Sequence, residues 1–388
     1  MKKGSKVYPE QRRRVYVGMS GGVDSSVSAA LLKEAGYDVT GVFIKVWNPD
    51  WLPCEWREER RDAMRVAAHL GIPFITLDLQ EEYKKGVVDY MISEYKAGRT
   101  PNPDVMCNKE VKFGHFLKKA REMGAEFIAT GHYAQISLAP AKLESTPLIN
   151  KRGTLQNAGG EIVLKEGADK NKDQSYFLYN LTQSDLKSIL FPVGHLQKDE
   201  VRKLAKKFKL PTAEKKDSQG ICFIGKVDMK EFLEHYIESK SGNVCNETGE
   251  IIGTHDGAVF YTIGQRHGFT ILKNTPHDAP YYIVGKNTEK NVLTVSQKPE
   301  EDALKRVTVV TLEHINWISE LPVEDKVYSA RIRYRQDKQE CKVTLSREER
   351  GRGEVVFTDP QQGVSAGQSV VIFDGEVCLG GGVIASSK

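Results

Sequence analysis

The sequence predicts an α/β fold, a doubly wound parallel sheet followed by a small central domain and a C-terminal all-β barrel. Three observations carry this. Up to Thr130, short apolar runs alternate with helical spacings. After Asp302 the pattern changes to short strands separated by turn residues. And 388 residues, 39% of them hydrophobic, are too many for one typical domain and enough for large cores.

The elements follow in order. Arg14–Gly18 reads as a buried strand, Ser25–Ala35 as a helix stopped at Gly36, and Val39–Trp47 as a strand. Arg57–Leu70 has helical spacing ended by Gly71 and Pro73. Phe74–Leu79 is a strand, Glu82–Tyr95 and Lys109–Met123 are helices, and Glu126–Thr130 is a strand. Strands separated by helices imply a parallel sheet, with ligands at the carboxyl ends of its strands. Ser137–Gly160 lacks periodicity and reads as an inserted loop or hairpin, and Lys198–Phe208 as a basic helix. Later strands are Lys326–Arg335, Glu340–Ser346, Gly353–Thr358 and Gln368–Phe373, as in a small barrel or sandwich. The expected domains are 1–225, 226–302 and 303–388.

Charge is nearly balanced, 56 Lys+Arg against 52 Asp+Glu, which permits a nucleic-acid partner only where basic residues cluster. Six scattered cysteines without a C-x-x-C pair exclude a secreted disulfide framework and suggest a reducing, cytoplasmic setting. No apolar run reaches the roughly 18 residues of a membrane span, so no membrane partner is expected. Met1–Arg14 lacks the apolar core of a signal peptide.

The sharpest motif is Ser20-Gly21-Gly22-Val23-Asp24-Ser25-Ser26, between the first strand and the first helix. Its glycines let backbone amides close on phosphate oxygens, and the helix points its free amides at that anion. The three serines can add hydroxyl donors. Asp24 would repel phosphate, so it holds a magnesium ion or fixes the loop. No Walker A pattern occurs. The motif resembles the PP-loop of N-type ATP pyrophosphatases, which implies ATP cleaved between the α and β phosphates and a substrate activated by adenylylation. Ile44 ends the second strand, where it could pack on adenine, and Gly131 ends a later strand at the same sheet edge.

Cys107 follows Pro101-Asn102-Pro103-Asp104, with a helix expected from Asn108 or Lys109. A thiol at a helix N-terminus is biased toward thiolate, and Asp104 is near enough to move its proton. Cys222 lies between Gly220 and Gly225, as in a mobile loop. Each cysteine also has the plainer reading of a small buried apolar residue.

The motifs SGGVDSS, GRTPNPDVMCNKEVKF, ATGHYA, KDQSYFL, GICFIG, YTIGQRHG and IRYRQ occur in that order over almost the whole chain. Together they resemble the tRNA-specific 2-thiouridylase family. The resemblance implies ATP-dependent 2-thiolation of the tRNA wobble uridine, with ATP and Mg2+ as cofactors and a protein persulfide as sulfur donor. It implies Cys107 as catalytic cysteine, Cys222 as persulfide carrier and Asp104 as acid/base. Gly18, Met19, Ser20, Gly21, Gly22, Val23, Asp24, Ser25, Ile44 and Gly131 match the ATP site. Asn102, Pro103 and Asp104 match the segment that meets the base. His132, Lys172, Asp173, Gln174, Arg333, Tyr334 and Gln368 match tRNA contacts. No resident metal site is implied.

Three features depart from the family. Asn48–Arg60, with tryptophans at 47, 51 and 56, replaces a longer acidic stretch; Ser137–Gly160 is long; and Ile44 stands where Met is frequent. Two basic features could serve RNA. Arg331, Arg333 and Arg335 at period two would share one strand face, either to meet phosphates or as a solvated edge. Lys198, Arg202, Lys203, Lys206, Lys207 and Lys209 make a moderate patch. The competing functions are another PP-loop carbonyl-activating ligase or amidating enzyme, an iron–sulfur-dependent tRNA sulfurtransferase, and a non-catalytic sulfur carrier.

Overall fold

The structure is a computed structural model and describes residues 12–52, 56–139, 161–216, 228–272, 279–298, 306–346 and 348–388. The strands of the first domain are β1 (Arg14–Gly18), β2 (Asp38–Lys45), β3 (Phe74–Asp78), β4 (Phe127–Ala129) and, beyond a hairpin of β5 (Ala134–Leu138) and β6 (Ile162–Glu166), β7 (Ile189–Leu190). Five of them make a parallel sheet in the order β3-β2-β1-β4-β7. Side chains alternate across a strand, so Val42 and Ile44 enter the core on one face while Phe43 enters the core on the other.

Helices cover both faces. They are α1 (Val23–Glu34), α2 (Trp56–Leu70), α3 (Gln80–Tyr83) and α4 (Tyr90–Lys96) joined by a π-helical segment Lys84–Asp89, then α5 (Pro103–Met106) and α6 (Phe116–Glu122) joined by a π-helical segment Cys107–His115. α7 (Gln183–Leu186) and α8 (Lys198–Lys207) complete the layer. The helix carrying Cys107 therefore starts at Pro103, not at Asn108 or Lys109. Asn102 caps it, its Oδ1 accepting from the Val105 amide, and Pro103 occupies the first position, where a missing N–H costs nothing.

The central domain is helix α9 (Met229–Glu234) with a five-stranded sheet of β8 (Gly242–Cys245), β9 (Ile251–His255), β10 (Thr270–Ile271), β11 (Tyr282–Asn287) and β12 (Val292–Ser296). The third domain has β13 (Val307–Trp317), β14 (Tyr328–Arg331), β15 (Gln339–Leu345), β16 (Gly353–Gln361), β17 (Ser369–Asp374) and β18 (Val377–Ser387). These follow one another as β13-β16-β15-β14-β17-β18, and a β13–β18 pairing closes the barrel. β6 pairs with β18 at Lys165 and Leu164, so the hairpin from the first part of the chain extends the barrel's sheet.

Candidate active site

The phosphate loop leaves β1 at Gly18 and enters α1 at Val23. Gly21 has φ +73°, and a Cβ there would stand 2.4 Å from the Glu59 carbonyl oxygen of α2. Only glycine fits that corner. Met19 and Val23 are buried by their side chains and offer the loop their backbone alone. Of the serines, Ser20 is exposed, while Ser26 is fully buried, its hydroxyl donating to the Gly22 carbonyl at 2.7 Å and accepting from Thr212. Ser26 laces the helix start, against the expectation of a third phosphate donor.

Gly131 lies against the same helix start. A Cβ on it would come within 2.7 Å of the Ser25 amide nitrogen and 2.8 Å of the Asp24 carbonyl carbon. Ile44 is buried in the core beside the sheet. The Asp24 carboxylate is held on two sides. Lys198 Nζ donates to its two oxygens at 2.8 and 2.9 Å, and the Tyr133 hydroxyl donates at 2.7 Å. Lys198 is thus turned into the phosphate loop, not out into a basic patch. Sequence reading missed both partners, which stand 174 and 109 positions away with no local signal.

The Cys107 helix reaches the same strand ends. Phe116 lies 3.4 Å from where a Cβ on Gly18 would sit, and the Phe113 ring is 5.6 Å from that of His132. Cys107 itself is fully buried in the apolar core. Its amide bonds back to Pro103 within the helix. The helix starts at Pro103 and Asp104, both half-buried, so the N-terminal field expected at Cys107 acts one turn earlier. Cys222 lies outside the described residues, as does Cys54.

The approach to Asn102 is clamped by two other domains. Gln368 Nε2 donates to the carbonyls of Thr100 and Pro101 at 3.0 and 3.4 Å, the Thr100 amide donates to Ala366, and Arg99 pairs with Glu313. The Thr100 hydroxyl meets that of Thr262 in the central domain at 3.2 Å.

The expected RNA-facing residues divide. Arg333 is exposed and donates to the Gln362 carbonyl at 2.6 Å, Lys172 is half-buried, and Tyr334 packs 4.6 Å from the Phe177 ring. Asp173 is buried: its carboxylate accepts from the Gly167 and Ser175 amides and pairs with Arg331 at 2.7 Å. Arg331 is buried too and also meets Glu166 at 2.9 Å. Gln174 accepts from the Tyr133 amide. The arginine row of equal orientation does not form, because β14 ends at Arg331 and the chain turns, with Arg335 at φ +64°. His132 is buried and bonds to Thr130.

Residues 13–226 match the family model described as tRNA methyl transferase HUP domain, 230–297 that of the tRNA methyl transferase PRC-barrel domain, and 307–384 that of the aminomethyltransferase beta-barrel domain. The tRNA-specific 2-thiouridylase MnmA of Listeria innocua is 46% identical over 374 residues, which is 96% of this chain and 94% of that protein. The protein of the same name from Halalkalibacterium halodurans is 46% identical over 382 residues, 97% of this chain and 95% of that one. Among solved structures, the U34-tRNA thiolase NcsA of Methanococcus maripaludis aligns over 58% of this chain and 64% of that one at 15% identity and a TM-score of 0.34, too slight a likeness to carry an assignment.

Proposed function

Because this chain belongs to the tRNA-specific 2-thiouridylase family, whose members thiolate a tRNA uridine with ATP, we propose that its phosphate loop and the Cys107 helix together carry out 2-thiolation of the wobble uridine. One observation carries the reading. The helical run that begins at Pro103 and carries Cys107 reaches the strand ends that flank the loop Ser20–Ser25, through Phe116 at Gly18 after β1 and Phe113 at His132 after β4. The proposed adenylylation and thiol chemistry would thereby be neighbours. The methyl-transfer wording of the family models fits this loop poorly, since methyl transfer breaks no phosphoanhydride.

The uracil 2-oxygen attacks the α phosphorus of ATP, and pyrophosphate leaves. Loop amides at the start of α1 stabilise the charge that develops. The adenylyl ester makes that oxygen a good leaving group. The outer sulfur of a Cys222 persulfide, loaded by a donor protein, then attacks carbon 2, and AMP departs with the oxygen. The Cys107 thiolate attacks the Cys222 sulfur, which leaves the second sulfur on the base and a Cys107–Cys222 disulfide. Alternatively Cys107 first releases hydrosulfide, with the same disulfide as product. An external thiol restores both cysteines, as a reducing cytoplasm allows. Asp104, half-buried on the first turn of α5, would move protons for these steps.

Magnesium fits with one carboxylate. Among the described residues no group of three or more His, Cys, Asp or Glu gathers to hold a metal, whereas Mg2+ needs only a carboxylate and substrate phosphates. Asp24 would be that carboxylate, and the ion would neutralise triphosphate charge. Arg333 and Lys172 remain the proposed RNA contacts, with Asn102 and Pro103 at the base. No helix among the described residues is long and apolar enough to cross a membrane.

The test incubates the protein with tRNA, ATP, magnesium and a persulfide donor, followed by mass analysis of the nucleosides and of the nucleotide product. Cys107→Ser and Cys222→Ser each abolish 2-thiouridine while tRNA binding survives, and pyrophosphate is released. Full activity in either variant, as an amidating ligase would retain, removes the thiol scheme. ADP as the product removes the PP-loop reading, and a brown protein absorbing in the visible revives the iron–sulfur one.

A further inference from the structure

We propose that Lys198 is a residue of the ATP site, one that faces the β and γ phosphates and is held on Asp24 until nucleotide arrives. The inference rests on the phosphate-loop reading above and adds a residue to it. The loop Ser20–Ser26 contains no cation of its own, yet departure of pyrophosphate places negative charge on the leaving group. Loops of this kind need a positive group for that charge. Lys198 opens α8, and its side chain is only 13% exposed. Its ammonium meets both Asp24 oxygens and lies 5.8 Å from the Tyr133 ring centre. Asp24 sits in the first turn of α1, among the amides that would receive the phosphates.

Two anions cannot share that turn uncompensated. With Lys198 in place the loop's own carboxylate is neutralised. A divalent cation on Asp24 would share its negative charge, and the Lys198 ammonium would then be free to meet the polyphosphate. Tyr133 keeps the carboxylate oriented throughout, and its own amide is fixed by Gln174. Lys198 is held from behind as well: its backbone amide donates to Asp169 at 3.0 Å. The lysine therefore has a fixed base and a movable head.

The experiment measures equilibrium binding of ATP and of AMP, with and without magnesium and without RNA, to the wild-type chain and to Lys198→Met, Lys198→Arg, Asp24→Asn and the double variant Asp24→Asn/Lys198→Met. Lys198→Met weakens ATP by about tenfold or more, as loss of a charge-assisted contact does, and leaves AMP unchanged. Lys198→Arg recovers most of the ATP affinity. The double variant leaves no unpaired carboxylate, and thermal unfolding verifies that it is folded; it binds ATP about tenfold or more weaker than Asp24→Asn does, and AMP equally. Equal losses for ATP and AMP, or no loss for either, when Lys198→Met is added to the folded Asp24→Asn chain overturn the inference and leave the function intact. A wild-type chain that binds neither nucleotide overturns both.

Discussion

His132 is an imidazole enclosed by aromatic rings, 5.6 Å from Phe113 and 6.0 Å from Phe191. Burial, with the Lys112 charge adding to it, pushes its pKa well below 6.5, so the ring is neutral at pH 7. A tRNA contact there would be a neutral hydrogen bond and not a charge on a phosphate. The same burial makes stability pH-dependent. The unfolded ring binds its proton near 6.5 and the folded ring only at lower pH. Stability is thus complete above 6.5 and declines as pH falls below it, by up to about 1.4 kcal/mol per pH unit. Urea unfolding at pH 7 and pH 5 should show this decline in the wild type and a flatter one in His132→Gln. Equal slopes would assign the decline to other groups. Asp173 teaches the same lesson. Its motif is legible, but only the fold shows its carboxylate spent on Arg331 and two amides.

At the level of elements, the close seating of β4's end on α1 shapes the proposed ATP site. Gly131→Ala would push a methyl to within 2.7 Å of the Ser25 amide nitrogen and 2.8 Å of the Asp24 carbonyl carbon, backbone atoms with no flexible side-chain end to give way. Overpacking of this sort costs about 1–3 kcal/mol, and here the displaced atoms are the amides proposed to bind phosphate. The variant should fold but lose most ATP binding, measured by titration. Retained affinity would mean that the strand end can move without disturbing the loop. The π-helical segment at Cys107–His115 is the element that sequence spacing concealed. A Cβ on Gly114 would stand 2.8 Å from the Lys109 carbonyl, five residues back, so the widened turn suits glycine. Periodicity reports which face is apolar, and one inserted residue barely alters it. The helix start at Asn102-Pro103 did carry a signal, a capping residue followed by proline.

The whole molecule is bound across its domains. The hairpin β5–β6 pairs with β18, Glu166 is paired to Arg331 and Lys338, and Tyr176 donates to the Ile332 and Ser369 carbonyls. A chain cut before Arg306 would leave Glu166, Asp173 and Tyr176, all buried, without these partners. Breaking a buried ion pair by removing one side costs about 3–5 kcal/mol. The cut chain should therefore give little soluble folded protein. If it unfolds at the same urea concentration as the full chain, the barrel is not part of the first domain's stability. Gln368 belongs to this scale also. By resemblance it meets tRNA; in the fold it ties the barrel to Thr100 and Pro101, just ahead of Asn102. Gln368→Leu should lower the thiolation rate more than tRNA affinity. The reverse pattern would make it chiefly an RNA contact.

Local pattern alone determined the parallel sheet, the glycine loop at the first strand-to-helix turn, the chain's change to β structure after Asp302, and the motifs that point to thiol and nucleotide chemistry. These depend on alternation, on helical spacing and on the φ that glycine permits, all of which act between near neighbours. Tertiary structure decided which charges are spent on one another: Lys198 on Asp24 rather than on a surface patch, Arg331 on Glu166 and Asp173 rather than on RNA. An ion pair forms where two side chains meet in a region poor in water, and residues more than 150 positions apart meet only once the chain has folded.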